Sequence, residues 1–461
     1  MKLWKGRKGG ESAAFADEYI SSLKFDYKLY WQHILTGIAH VKMLGEKEIL
    51  TKYEAEKISS ALVEMLADIE KGAIEISDAE DIHTFVESEL IKKIGEVGKK
   101  LQTASSRSDF AATELRLYVK DSIVNIATLL RVLINTLVKM ASDNIKYYMP
   151  SYRHMQKSQP VSIAHYLNSY SEMFLRDVER LTDCFKRTDV MPLGSCSSAG
   201  TSYPIDRKIT AKYLSFSEIS TNAMDAVSDR DFAAEYLFCL STVAMHLSRF
   251  TEDLILFSSD TYKFIVISDA YAVSSIANPV KKNPEILEII RGKSGKTFGN
   301  LISMLTILKG LATSYNKDIT EEKELVFASE EIISGSLKIF TELIQNISFD
   351  IRAMRNAATN SYSGASYIAD YLVDKGMPFN EANETTGQII KACVEQKLSL
   401  ERVPLNVLRV YSLLFEEDIL ELIKIRKTIE NKTSFGGTAR VAVRENIRNI
   451  VKRLNRMFKE I

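Results

Sequence analysis

From Leu115 to Met140 the chain reads LRLYVKDSIVNIATLLRVLINTLVKM, in which Val119, Ile123, Ile126, Leu130, Leu133, Leu137 and Met140 follow one another in steps of four and three. That spacing describes a helix burying one apolar stripe. A second run repeats it: Phe232, Tyr236, Leu240, Val243, Leu247, Phe250, Leu254 and Phe257 step in the same way, with Arg249, Glu252 and Asp253 off the stripe. At about 1.5 Å per residue, helices of this length exceed roughly 35 Å and need equally long neighbours to cover them. The fold class that follows is all-α, built on an elongated bundle. The short apolar runs VFASEE and FIVISD lack hairpin partners in the sequence, so no β-sheet of consequence is expected.

Proline placement supports this reading. The eight prolines are Pro150, Pro160, Pro192, Pro204, Pro279, Pro284, Pro378 and Pro404, and the intervals between them are long enough for uninterrupted helices. After about Phe349 the chain becomes polar, aromatic and glycine-punctuated. NSYSGASYIADYLVDKGMPFNEAN reads as helix, turn, helix with Gly376 near a C-terminal cap, and marks a separate small helical domain.

At 461 residues the chain accommodates two or three domains and a large core. Apolar residues make up 46% and charged residues 26%, an ordinary globular balance. Sixty basic residues balance sixty acidic ones, so no basic field advertises nucleic acid or an anionic membrane as partner. The four cysteines, Cys184, Cys196, Cys239 and Cys393, form no metal-ligand spacing, which argues against a zinc site or a disulfide framework and fits a reducing cytoplasm. The start, MKLWKGRKGGES, is basic without an apolar core of a leader peptide, so neither export nor anchoring is expected.

Between the long helices lie four polar segments. SYRHMQKSQ is bracketed by the first two prolines, LGSCSSAGTSY by the next two, and SSIANPVKKNPE spans Pro279 and Pro284. The fourth, TASSRSD from Thr103 to Asp109, precedes the first long helix and is placed to cap it through Ser108 or Asp109. In a bundle, such helix-end segments can converge into a site lined by hydroxyls, cations and one histidine. Of the six histidines, His40, His165 and His246 fall in helix-like stretches and read as structural. His154 stands beside Arg153, a neighbour that favours a neutral imidazole able to take a proton. The serines and lysines of SSIANPVKKNPE are suited to moving a proton and stabilising an anion, although such a loop is also an ordinary solvated connector.

Ordered motifs then accumulate: EDIHTFVESEL at 80, TASSRSDFAATELRL at 103, HMQKSQP at 154, PLGSCSSAGTSYPIDR at 192, NAMDAVSDRDF at 222, SSIANPVKKNPEILEIIRGKSG at 274, SYNKDITEEKE at 314 and GGTAR at 436. In their order the chain resembles argininosuccinate lyase and the related delta-crystallins, of the fumarase/aspartase superfamily. The resemblance implies three domains: an N-terminal helical domain over 1–104, a central long-helix domain over 105–353 and a small C-terminal helical domain over 354–461. It further implies a cytoplasmic homotetramer with a twenty-helix core and active sites shared between subunits. The implied reaction is elimination of fumarate from argininosuccinate, leaving arginine, without metal or organic cofactor. Counting from Lys281 in the family's loop puts the catalytic serine at Ser275. His154, Ser275, Lys281 and Glu288 are the implied catalytic residues, with Ser275 as base, His154 on the acid side, Lys281 stabilising the anion and Glu288 orienting the histidine. Ser22, Ser106, Arg107, Asn283, Tyr315 and Lys323 are the implied substrate-binding residues, and Asp81, His83 and Arg230 lie in matching segments as binding or supporting groups.

The sequence departs from the family pattern at Ser274 and Asn278 in the serine loop, where Gly and Met are usual. It departs again at Ser108, Arg153 and Thr320, where Asn, Thr and Gln are usual, and at Ala104 and Ser105. Three readings follow: argininosuccinate lyase, a lyase releasing fumarate from another N-substituted aspartate, or a non-catalytic crystallin-like scaffold.

Overall fold

The computed structural model describes residues 14–274, 282–359, 362 and 364–460. Ser275, Asn278 and Lys281 lie outside the described residues. After short helices at Ala14–Ile20 and Leu23–Asp26 and a 3-10 turn at Tyr27–Leu29 come three longer ones: α1 (Tyr30–Glu46), α2 (Lys52–Glu70) and α3 (Ile82–Ile94). They bury Ile34, Val41, Leu44, Ile58, Leu62, Phe85, Val86 and Leu90 in a core of their own. Helices α1 and α2 approach so closely that a Cβ built on Gly45 would stand 2.7 Å from the Ala55 Cβ, which makes glycine necessary there.

The long stripe read from the sequence is α4 (Arg107–Asp143), 37 residues and about 55 Å. Ser106 is its N-cap, and Ser106 and Asp109 form a reciprocal capping box, so the cap is Ser106 rather than Ser108, with Asp109 as its partner in the first turn. Val119, Ile123, Ile126, Leu130, Leu133 and Leu137 are all fully buried. By length and composition alone α4 could cross a membrane, yet its apolar stripe is spent on packing against its neighbours. Those neighbours are α5 (Ile163–Thr188), α6 (Asp231–Ser258), α7 (Glu285–Leu308) and α8 (Glu322–Gln345). Helix α5 lies along α4, α6 packs on α5 and α7, and α8 covers α4 and α7. Their buried faces merge into one core containing Phe174, Leu181, Tyr236, Phe250, Leu287, Phe327 and Phe340.

Beyond α8, α9 (Ile351–Thr359) leads to α10 (Ala365–Asp374) and α11 (Phe379–Glu395), the helix–turn–helix expected around Gly376, whose φ is 95°. Ile368, Leu372, Ile389, Leu408, Phe415 and Ile419 form a third core there. The last helix, α12 (Arg440–Met457), returns to the long bundle: Val443, Ile450, Leu454 and Met457 join its core against α5.

Strand is present where none of consequence was expected, as four two-stranded ladders among the described residues. The SYRHMQKSQ segment is a hairpin of β1 (Tyr148–Arg153) and β2 (Gln156–Ser162), with Pro150 opposite Pro160 at the edge, where a missing N–H costs no ladder bond. Ile265–Ile267 of FIVISD finds its partner, Ile347–Phe349, some eighty residues later, a pairing invisible to local pattern. VFASEE instead lies inside α8. Val273–Ser274 pairs with Lys282–Asn283, so the two flanks of the serine loop are zipped together.

Candidate active site

Ser22 precedes a short helix, Leu23–Asp26, and its hydroxyl donates to Asp26 Oδ2 at 2.7 Å. The same oxygen receives Lys323 Nζ from the first turn of α8 at 3.3 Å, and Asp26 Oδ1 accepts the Ile82 N–H. Asp26 is fully buried and Lys323 nearly so. Burial opposes the ammonium charge, but Asp26, Glu114 and Tyr315 outweigh it and raise the Lys323 pKa, so this lysine stays charged in a dry setting. Tyr315 approaches from the same side, its hydroxyl 3.4 Å from Thr320 Oγ1.

Alongside, Asp81 caps α3 by accepting from the Thr84 N–H and hydroxyl, and binds Arg107 Nη1 at 2.8 Å, while Arg107 Nη2 donates to Thr84 Oγ1 at 2.7 Å. Burial by itself would raise the Asp81 carboxyl. Positive charge from His83 and Arg107, with the Thr84 donors, holds it at about 2; Arg107 carries most of this, because His83 is itself kept neutral at pH 7. Burial lowers His83 to about 4 although Glu114 pulls the other way.

Glu114 lies beneath these groups with no solvent exposure. It is 2.7 Å from His33 Nδ1 and 3.4 Å from His83 Nε2, and the two imidazoles meet edge to face at 4.6 Å. Despite burial, the hydrogen bond from His33 and the Lys323 charge help keep its carboxyl below the ordinary range. His33, His83 and Glu114 bring their ligand atoms within 4.8 Å of one another, a spacing able to hold a metal ion. Lys323 and Arg107 already supply positive charge here, so the cluster is better suited to fixing the cations above it.

The Ser106 cap anchors a second wall. Ser106 N–H donates to Asp109 Oδ1, and Asp109 Oδ2 accepts from the Gly194 and Cys196 N–H groups at 2.9 and 2.8 Å. The Ser197 hydroxyl reaches Ser106 Oγ at 3.3 Å. Burial pushes the Asp109 carboxyl up to about 6 against these N–H bonds. Two of the four polar segments, 103–109 and 192–204, therefore do meet.

The hairpin carrying His154 does not join them within one chain. His154 and Met155 are its two turn residues, with φ of 53° and 57°, and both side chains are exposed. Gln159 and Lys432 hydrogen-bond to each other, and Thr438 Oγ1 receives the Ser162 N–H, so the GGTAR motif fastens the base of this hairpin. Glu288 lies exposed in the first turn of α7, with no hydrogen bond or ion pair to His154 among the described residues. Asn283 is half-buried beside Glu285, its Nδ2 3.5 Å from Oε1. Arg230 is buried in an ion pair with Glu322, Nε to Oε1 2.5 Å, a structural role. Within one chain Ser22, Ser106, Arg107, Tyr315 and Lys323 come together, whereas His154, Asn283 and Glu288 share no hydrogen bond or ion pair with them among the described residues.

Three members of the cluster escaped sequence reading: Asp26, Glu114 and His33. Their only local signal is an acid or imidazole inside a helix-forming stretch. Two of the departures are absorbed into packing. Ser108 and Thr320 are buried, and Thr320 serves as the hydroxyl partner of Tyr315. Arg153 is exposed at the end of β1.

Residues 6–299 match the lyase family and residues 362–430 the argininosuccinate lyase C-terminal family. Argininosuccinate lyase of Acetivibrio thermocellus is 42% identical over 456 residues, covering 99% of this chain and all of that one. Argininosuccinate lyase of Pelotomaculum thermopropionicum is 44% identical over 454 residues, covering 98% and 99%. Among solved structures, EDDS lyase in complex with formate superposes with a TM-score of 0.83 at 22% identity, covering 98% of this chain and 92% of that one. A fumarate lyase from Mesorhizobium sp. BNC1 gives 0.74 at 17% identity, covering 96% and 99%; both similarities concern the fold.

Proposed function

The chain belongs to the argininosuccinate lyase family, and from that premise we propose how its residues divide the work of the reaction. The protein is a carbon–nitrogen lyase that eliminates fumarate from argininosuccinate to leave L-arginine. The observation that carries this reading is the identity of 42% to 44% over almost the whole length of both chains.

Elimination requires removal of a proton beside a carboxylate, stabilisation of the resulting carbanion, and protonation of the leaving nitrogen. Ser275 is the base, helped by Lys281, whose ammonium lowers the cost of the alkoxide and of the carbanion. His154 acts on the acid side, oriented by Glu288. Ser22, Ser106, Arg107, Tyr315 and Lys323 hold the carboxylates and the arginine portion, and Asn283 binds from the flank of the serine loop. The charged Lys323 and Arg107, each fixed by a buried carboxylate, support this assignment because their donors are oriented before substrate arrives.

The protein works as a cytoplasmic homotetramer with sites completed by neighbouring subunits, and the domains divide at 1–104, 105–353 and 354–461, with α12 fastened back onto the long helices. Two observations support the shared site. His154 and Glu288 are exposed, and among the described residues neither makes a hydrogen bond or ion pair with the other or with the Arg107–Lys323 cluster, as groups awaiting partners from another subunit would. Phe238, Met245, Ile289, Phe298, Ile302 and Leu305 leave apolar side chains exposed on α6 and α7, a surface that long helices of other copies would cover.

The test is fumarate absorbance on mixing purified protein with argininosuccinate. Turnover is expected, falling at least about a hundredfold in Ser275→Ala with the melting temperature unchanged. Full activity in that variant would remove Ser275 from the mechanism.

A further inference from the structure

Away from the substrate cluster, α9 and the segment following α11 enclose a cavity of 810 Å³ lined by Arg352, Arg355, Lys397 and Arg402. Arg352 and Arg355 are one helical turn apart on α9, so their guanidinium groups share a face. Lys397 holds a left-handed backbone, φ 52°, just past the end of α11, and Arg402 follows in the next short turn. All four are exposed, and none makes an ion pair among the described residues. In a chain with sixty basic and sixty acidic residues, such a group is not a by-product of excess charge.

One acid shares the lining, Glu401, but its carboxylate accepts the Ile425 N–H at 2.8 Å. One neutral donor completes the wall: Ser399 has a buried hydroxyl with no hydrogen-bond partner, beside a Tyr362 hydroxyl already engaged with the Leu398 carbonyl. Four cations against one engaged carboxylate form a concave site whose size suits a small molecule rather than an extended polymer. Guanidinium forks match phosphoryl oxygens two at a time, and mutual repulsion of the four cations is relieved by a bound anion of multiple charge.

We propose that this cavity binds a small anion bearing phosphoryl groups. Tyr362 also lines a neighbouring cavity with Tyr152, Met155 and Lys157 of the His154 hairpin, so the two surfaces adjoin.

Calorimetric titration of the full-length protein with pyrophosphate, with fumarate held saturating to occupy the substrate cluster, is the test. One saturable site per chain is expected, weakened by about tenfold for each arginine removed in Arg355→Ala and Arg402→Ala, and weakened further as salt rises. ATP in place of pyrophosphate distinguishes the source: tighter binding assigns the cavity to a nucleotide, equal or weaker binding to the bare diphosphate. Unchanged binding in the double variant overturns the proposal. So does non-saturable uptake that a heparin polymer reproduces charge for charge. Should the double variant fail to fold, Lys397→Ala alone must weaken pyrophosphate binding about fivefold, and an unaltered affinity there overturns the proposal equally.

Discussion

Glu114 makes no contact with solvent, yet it stands between His33 and His83 and helps hold Lys323 charged. Glu114→Gln keeps the shape and removes the charge, which leaves the two imidazoles and the ammonium facing a neutral amide. The expected result is a loss of about 3 kcal/mol of stability, the scale of breaking a buried charged pair. Fumarate release at saturating substrate should also fall, because Lys323 loses part of its anchorage; thermal melts and steady-state rates check the two effects separately. The buried histidines set a pH dependence. His40 and His83 are each lowered from 6.5 to about 4, chiefly by burial. Below pH 6.5 the unfolded chain takes up protons that these native imidazoles refuse, so stability is present above that pH and is lost as pH falls from about 6.5 to about 4. The slope is about 1.4 kcal/mol per pH unit for each histidine. The buried Asp109 carboxyl, raised to about 6, takes up its proton first in the native state and offsets about one histidine's share of this slope below pH 6. Melting temperatures between pH 7.5 and 5 should still fall, and His40→Gln should remove one histidine's increment.

Among the elements, the β1–β2 hairpin carries two consecutive non-glycine residues in the left-handed region. A two-residue turn with positive φ at both positions favours Asn and Gly, whereas this one carries His154 and Met155. The left-handed backbone presents the imidazole at the tip of a rigid ladder. Met155→Gly should relieve one strained residue and raise stability by about 0.5 kcal/mol, less than the full strain because glycine also gains freedom in the unfolded chain. Chemical denaturation measures it, and a destabilised variant would show that the exposed Met155 side chain contributes more by packing than its backbone costs. The hairpin also shows what periodicity misses: its polar, proline-bracketed sequence carries no alternating apolar pattern, because its partners are the other strand and the Thr438 hydroxyl rather than a core.

For the whole molecule, the separation of His154 and Glu288 from the Arg107–Lys323 cluster is the decisive feature. If subunits share sites, mixing two inactive proteins, His154→Ala and Lys323→Ala, through dissociation and reassembly should restore activity, since some sites then draw both intact groups from different chains. Recovery of up to about a quarter of wild-type activity is expected from random assembly of tetramers. No recovery in hybrids confirmed by light scattering would show that each chain completes its own site.

The sequence by itself determined the long helices, because a stripe at steps of four and three in α4 and α6 has one way to be buried. It also placed Gly376 at a helix end, while Ser22, Ser106, Arg107, Tyr315 and Lys323, which the fold brings together, were named only through the resemblance to a known family. Tertiary structure alone decided that Asp26 joins Ser22 to Lys323, that Glu114 underlies both histidines, and that Ile265–Ile267 pairs with Ile347–Phe349. It also showed α12 returning to the long bundle and His154 standing away from the cationic cluster within one chain. The physical reason is the same throughout: helix periodicity is a local property of neighbouring residues, whereas a buried charge is defined by partners that arrive from tens or hundreds of residues away.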